Sequence, residues 1–147
     1  MIKNTRFVST ARIAGQDYPA HDALEQYAVT LCDLDACRQR ERRSASSPTS
    51  QANRTRYVDQ LRILEAREKE LRARAEALIG KCETPDEREM LRMRYLLIMD
   101  WTTIARVLYS DEPDFFNGKE YRHRALCLHQ AAMRHLEGTL KNEDGME

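Results

Sequence analysis

Seven heptad-spaced positions between residues 57 and 78 define a long amphipathic helix. Spacings of four and three residues alternate along this seam, and a single member, Glu68, is polar. The seam consists of Tyr57, Leu61, Leu64, Glu68, Leu71, Ala75 and Leu78. Such spacing lines one face of an α-helix, whereas strand side chains alternate with a period of two. The chain must therefore supply or recruit a second helix that covers this face.

Two partners would satisfy the seam. Asp22 is a candidate N-cap, and Glu25 three residues later completes a capping-box pattern, which predicts a first helix over 22–43. The serine-rich stretch 44–50 reads as a loop that lets this helix fold back as an antiparallel hairpin. The alternative is a homodimer, in which residues 57–78 of two chains pair with each other. The short loop favours the hairpin.

Start signals predict two more helices directly after the seam. Thr84 is a candidate N-cap with Pro85 at the first helical position, which indicates a third helix over 85–98. Asp100 or Thr102 can cap a short fourth helix. Three helices, of which the middle one is short, are what a helix-turn-helix domain requires, so a fifth helix is expected.

The fifth helix is predicted to begin near Lys119, with Asn117 as its cap. Its apolar stripe has spacings of three, four and four and consists of Ala125, Leu128, Ala132 and Leu136. The predicted organisation is an N-terminal arm at 1–21, a helical hairpin or coiled-coil segment at 22–82, a helix-turn-helix domain at 83–137 and a polar tail at 138–147. The expected fold class is all-α.

Composition excludes several other classes. With 147 residues a multi-domain enzyme is not expected, and 5 Gly and 4 Pro are too few turn residues for an all-β fold. The apolar runs are too short for a membrane span, so no membrane partner is expected. The charged N-terminus lacks the apolar region of a secretory signal, which predicts a cytoplasmic protein with reduced cysteines.

No motif for catalysis, cofactor binding or metal binding emerges. The sequence contains neither a glycine-rich phosphate loop nor a nucleophile-elbow serine, so we expect no enzyme and no cofactor. Cys127 together with His123 or His129 would supply two metal ligands, but a tetrahedral site needs four. No metal site is therefore expected.

Two segments of the predicted helix-turn-helix domain carry a family resemblance. The runs 87–95 (EREMLRMRY) and 101–108 (WTTIARVL) resemble region four of bacterial sigma factors, and 125–136 (ALCLHQAAMRHL) resembles the recognition helix of that region. The chain is more similar still to small phage and mobile-element proteins of Gram-positive bacteria, which join a sigma-like helix-turn-helix to a long N-terminal helical segment. Members of that family are thought to be late transcription regulators.

The resemblance implies a sequence-specific transcription regulator that binds double-stranded DNA in a bacterial host cell and contacts host RNA polymerase. It places the DNA contacts on the first turns of the fifth helix, where basic side chains also concentrate. The candidate DNA-binding residues are Lys119, Arg122, His123, Arg124 and Gln130.

Two alternative functions stay open. A protein-binding adaptor or inhibitor would reuse the helix-turn-helix scaffold, with the acidic segment 110–118 and the heptad helix as its working surfaces. A small terminase-like subunit would use the same domain to recognise DNA for packaging. The zero net charge conceals a local imbalance, because residues 86–118 carry four basic and seven acidic side chains. Diffuse DNA affinity is therefore not expected, and the charge balance leaves a small directed contact open.

Overall fold

A computed structural model of the protein describes residues 17–45, 51–113 and 118–144. These residues form five α-helices and one π-helical turn, and no β-strand occurs among them, which confirms the all-α class for this part of the chain. The elements are α1 (Pro19–Ala45), α2 (Gln51–Gly80), α3 (Pro85–Leu91), the π-helical turn (Arg92–Leu96), α4 (Trp101–Tyr109) and α5 (Gly118–Asp144). None of the described helices combines the length and the apolar character needed to cross a membrane.

Helices α1 and α2 lie side by side and run in opposite directions. Near the connection between them, the Cys37 thiol lies 3.7 Å from the Tyr57 carbonyl oxygen. Further along, the Tyr27 hydroxyl meets Glu68, so earlier residues of α1 contact later residues of α2. The heptad seam is thus covered by a helix of the same chain. Pairing of two copies through residues 57–78 would require α1 to move away.

The polar member of the seam is buried and hydrogen-bonded. Glu68 is only 4% exposed, and one of its carboxylate oxygens accepts a hydrogen bond of 3.1 Å from the Tyr27 hydroxyl and another from the Arg72 guanidinium. Arg72 also donates from Nε to the Tyr27 oxygen at 3.4 Å. Burial raises the pKa of Tyr27. Because a buried carboxylate without partners would be costly, this triad is what allows Glu68 to occupy a seam position.

Helix α1 begins and ends beyond its predicted limits. It begins at Pro19 rather than at Asp22, and the Asp22 amide donates to the Tyr18 carbonyl at 2.9 Å. Asp22 therefore belongs to the first helical turn and is not the N-cap. The physical reason is Pro19, whose fixed φ suits the first turn of a helix and whose missing N–H would be unpaired there anyway.

The other helix limits follow their caps. The Thr84 hydroxyl accepts from the Glu87 amide at 3.2 Å while the Glu87 carboxylate accepts from the Thr84 amide at 3.2 Å, which confirms a capping box at the start of α3. Of the two candidates for α4, Asp100 is the cap, and it accepts from the Thr103 amide at 2.7 Å. This hydrogen bond lowers the pKa of Asp100. The predicted cap Asn117 lies outside the described residues.

Two predicted elements differ from the observed ones. The third helix is α-helical only as far as Leu91 and then widens into the π-helical turn, instead of running unbroken over 85–98. Helix α5 continues to Asp144, through most of the segment 138–147 that was expected to be a polar tail. In that extension Leu140 is half-buried and packs against the core, which explains why the helix does not stop at 137.

A single apolar core joins the N-terminal and C-terminal helices. Its side chains come from every described α-helix, and the largest fully buried members are Leu24, Ile79, Met90, Leu91, Ile104 and Leu136. The core therefore crosses residue 83, the predicted start of the helix-turn-helix domain. Helix α1 is central to it, since the Ala20 amide donates to a Glu137 carboxylate oxygen of α5 at 2.6 Å.

We predict that Glu68→Ala lowers the free energy of unfolding by about 2 kcal/mol, because it removes the acceptor of two hydrogen bonds and leaves the buried Tyr27 hydroxyl without this partner. Urea denaturation followed by circular dichroism measures this change. Glu65→Ala is the matched control: its exposed ion pair with Arg38, at 3.7 Å, should contribute less than about 0.5 kcal/mol. Equal losses in the two variants would contradict the role given to Glu68.

Candidate functional site

The chain changes direction between α3 and α4 through a strained segment. In the π-helical turn the Leu97 amide donates to the Arg92 carbonyl five residues back, at 3.0 Å. Ile98 follows with φ 55°, a left-handed conformation that a β-branched side chain adopts only when its surroundings impose it. Two residues later the chain reaches Asp100, the N-cap of α4. π-Helical turns of this kind are frequent at functional sites.

Around this segment four elements bring aromatic and histidine rings together. Tyr95 of the π-helical turn and His129 of α5 share a hydrogen bond of 2.6 Å between the hydroxyl oxygen and Nε2. The His21 ring of α1 stands edge-on to His129, with centroids 6.0 Å apart. Trp101 of α4 packs against the same imidazole, with centroids 5.1 Å apart. We call His21, Tyr95, Trp101 and His129 the ring cluster.

Arg94 of the π-helical turn packs against one ring of the cluster. Its guanidinium carbon lies 5.0 Å above the Trp101 ring, a distance at which a cation is attracted to the ring face. Arg94 Nη1 also donates to the Met99 carbonyl at 3.1 Å, so the side chain braces the turn that contains Ile98. Burial lowers the pKa of Arg94.

His129 at the centre of the ring cluster is a neutral imidazole. It is only 3% exposed, and burial lowers its pKa to about 3, with added repulsion from His21 and Arg94. Its Nδ1 has no hydrogen-bond partner among the described residues. A ring that solvent cannot reach is poorly placed to exchange protons with a substrate. The arrangement is suited to holding α1, α4 and α5 in a fixed geometry.

The candidate DNA-binding residues lie on the exposed part of α5, but they do not share one face. Arg122, His123, Arg124 and Gln130 are all exposed. Lys119 lies in the first turn of α5, and its side chain is outside the part of the chain that the structure describes. At 3.6 residues per turn, His123 and Gln130 are about 20° apart, whereas Arg122 and Arg124 are about 200° apart around the helix axis. The two arginines therefore flank a face that His123 and Gln130 occupy.

Arg124 has a defined position against the end of α4. Its guanidinium carbon lies 4.4 Å above the Tyr109 ring and 5.3 Å from the Tyr121 ring, and these two rings lie 5.7 Å apart. Burial raises the pKa of Tyr109. Stacking of this kind limits the rotamers of the arginine. Arg124 thus joins α4 to α5 while its charge stays at the surface.

The cysteine and histidines of α5 do not assemble into a metal site. Cys127 Sγ lies 3.5 Å from His123 Nε2, and the described residues supply no third ligand to this pair. His129 points into the ring cluster instead. A different trio was not foreseen from the sequence: one ligand atom each from His21, Asp22 and Glu25 lies within 4.8 Å of the others. The i, i+4 spacing of His21 and Glu25 indicates in the sequence that these two side chains are neighbours on a helix.

No protein-family model matches the chain, no curated protein matches it, and no solved structure matches it.

We predict that the free energy of unfolding falls by about 2 kcal/mol between pH 7 and pH 5 because of His129. Its pKa is lower in the folded chain than the ordinary value of 6.5, so the unfolded chain binds more protons as the pH falls below 6.5. The contribution of His129 to stability is fully present above pH 6.5 and is lost progressively towards pH 3. Urea denaturation at pH 7, 6 and 5 measures the loss.

His129→Gln is the control variant, since glutamine keeps a polar group next to Tyr95 but does not titrate. We expect its stability to depend less steeply on pH over the same range than that of the wild-type chain. Parallel pH profiles of the two proteins would show that another group causes the loss.

Proposed function

We propose that the protein is a sequence-specific DNA-binding transcription regulator in which α4 and α5 form a sigma region four-like helix-turn-helix. In this proposal α4 crosses the phosphate backbone and the N-terminal half of α5 enters the major groove. The observation that carries it is the set of exposed arginines on α5, namely Arg122, Arg124 and Arg134. Residues 118–134 carry four basic side chains and one acidic side chain, while the chain as a whole has no net charge.

The packing of α4 supports this assignment. Asp100 caps the helix, and Ile104 and Ala105 are buried towards the core, so the short helix is held against α5 by its apolar side. The opposite side of α5 is left uncovered by the described residues, including Gln130 and Arg134. A helix that is anchored along one side and exposed along the other is what major-groove reading requires.

The positions of the polar side chains around α5 suggest which of them would contact bases and which would contact phosphates. His123, Gln130 and Arg134 follow one another at spacings of seven and four, which places them on one face that would meet the base edges. Arg122 and Arg124 flank this face on opposite sides, where phosphates of the two strands would lie. Arg124 would bind with little loss of side-chain entropy, because Tyr109 and Tyr121 already restrict it.

Helices α1 and α2 would serve as the surface that contacts host RNA polymerase in the cytoplasm of a phage-carrying bacterium. Because Ala20 of α1 is hydrogen-bonded to Glu137 of α5, this pair of helices is held in a fixed position relative to the proposed reading helix. A regulator that has to touch DNA and polymerase together benefits from such a fixed geometry.

A second candidate, a protein-binding adaptor, is favoured by one observation. Leu97, which precedes α4, and Val107 within it are more than half exposed, and the acidic side chains of Asp111 and Glu112 are exposed just beyond the helix. Exposed aliphatic groups next to acidic ones suit a protein partner better than a phosphate backbone.

We predict that the full chain forms a site-specific complex with fragments from its native genomic neighbourhood, and that affinity falls steeply as salt rises. Arg122→Ala should weaken binding to all sequences and reduce the slope of log affinity against log salt by about 0.9, the value for one phosphate contact. Gln130→Ala should cost about 1–3 kcal/mol on the preferred site alone. Fluorescence anisotropy across a salt series measures both effects.

Arg124→Ala should also weaken binding, and its thermal unfolding must be recorded because the side chain packs on Tyr109. Arg74→Ala, an exposed arginine of α2, is the matched control and should leave affinity and slope unchanged. The absence of any complex at low salt would contradict the DNA-binding proposal and favour the adaptor.

A further inference from the structure

A broad groove runs along the outer surface where α1 and α2 meet. It has a volume of about 680 Å³ and is open to solvent. Its aliphatic lining consists of Val29, Ile63 and Leu64, and its acidic lining consists of Asp22, Glu25 and Asp33. None of these side chains belongs to the proposed reading face of α5, so the groove is a second surface.

The groove exposes aliphatic side chains that a helix pair would ordinarily cover. Ile63 is 69% exposed and Val29 is 47% exposed, although both line the same depression. Single exposed aliphatic groups are common on protein surfaces, but aliphatic groups gathered in a concave surface and edged by polar ones are typical of a docking site. Covering each of them would stabilise a complex through burial of apolar surface.

The charges of the groove indicate which occupant it fits. Three carboxylates line it, and Arg67 is the single basic side chain among its lining residues. An occupant therefore needs basic groups for the carboxylates and aliphatic or aromatic groups for the floor. An acidic segment or a nucleic acid would be repelled.

Residues 1–16 of this chain have that chemistry. They contain Lys3, Arg6 and Arg12 and no acidic residue. Their larger apolar side chains, which are interspersed with the basic ones, are Met1, Ile2, Phe7, Val8 and Ile13. We propose that residues 1–16 bind in the groove between α1 and α2 of the same chain, with their basic side chains on its carboxylates and their apolar side chains on Val29 and Ile63.

The covalent connection makes this occupant available at high local concentration. The segment ends at residue 16, and the groove begins at Asp22, whose amide is hydrogen-bonded to the Tyr18 carbonyl. From Asp22 to Asp33 the groove follows about 16 Å of helix at 1.5 Å per residue. Sixteen residues span up to about 50 Å when extended, so the segment is long enough to turn back along α1 and cover the groove. Linkage of this kind supplies an effective concentration near the millimolar range.

Site-specific photo-crosslinking in the full chain tests the proposal. A chain with Ile63→p-benzoylphenylalanine is irradiated, and the crosslinked peptides are identified by mass spectrometry after separation of monomeric from dimeric products. We expect a monomeric product in which position 63 is joined to a residue within 1–16. The same photoreactive group at Val58, an exposed position outside the groove lining, should give at least several-fold less of that product.

Charge reversal of the segment supplies a second measurement. Combined Lys3→Glu, Arg6→Glu and Arg12→Glu should lower the crosslink yield several-fold. Combined Arg40→Glu, Arg42→Glu and Arg74→Glu, which makes the same change in net charge at exposed helix positions, should leave the yield unchanged. Circular dichroism of each variant verifies that the helices are retained.

Three outcomes would overturn the proposal. A dimeric product would show that a second copy occupies the groove, and a monomeric product joined to any other segment would show a different occupant. Equal yields at positions 58 and 63 would show that residues 1–16 do not bind the groove selectively. None of these outcomes bears on DNA binding by α5, so this inference and the proposed function fail separately.

Discussion

The hydrogen bond between Tyr95 and His129 is the contact around which the C-terminal half of the chain is arranged. Both groups are buried, and buried polar groups that lose their partners cost free energy. Tyr95 lies within the π-helical turn, whose additional residue changes the direction in which its side chain projects from the helix axis. The same turn leads through the left-handed Ile98 into the cap of α4. Tyr95, the strained backbone and the start of the short helix thus follow one another in a single short segment of the chain.

Helix α1 makes the N-terminal and C-terminal halves a single structure. It covers the heptad seam of α2 on one side, and its first turn reaches α5 through the Ala20 amide and the His21 ring. An independent helix-turn-helix attached to a coiled coil by a flexible linker would have no such contacts. If α5 reads DNA, as we propose, the orientation of α1 and α2 on the DNA is fixed at the same time.

Local sequence signals predicted most of the helices but not the geometry between them. The heptad seam and the capping box at Thr84 depend on neighbouring residues, so the sequence was sufficient for them. No local pattern predicted the π-helical turn, and the hydrogen bond of its Tyr95 is with a residue 34 positions away. The start of α1 was predicted three residues late, because Asp22 and Glu25 match a capping-box pattern although the helix begins at Pro19.

The buried face of α5 also differs in one position from the stripe that the sequence predicted. Leu128 was assigned to the buried stripe because it is apolar, yet the residue that is fully buried next to it is His129. Tyr121, Ala125, His129, Ala132 and Leu136 have helical spacing and were all visible in the sequence. Counting histidine and tyrosine as core residues would have found the ring cluster. By contrast, the position of Arg124 against Tyr109 depends on how α4 packs, and no local pattern encodes that.

Helix α5 also has a mechanical consequence. It is a continuous rod of about 40 Å at 1.5 Å per residue, with Arg124 near one end and the anchor for α1, Glu137, about 20 Å further along. Helix α5 is held at two points, by the contact of Arg124 with Tyr109 and by the hydrogen bond of Glu137 with Ala20. These contacts restrict bending of the helix between them. A displacement of its N-terminal turns would therefore reach α1 through the hydrogen bond between Ala20 and Glu137.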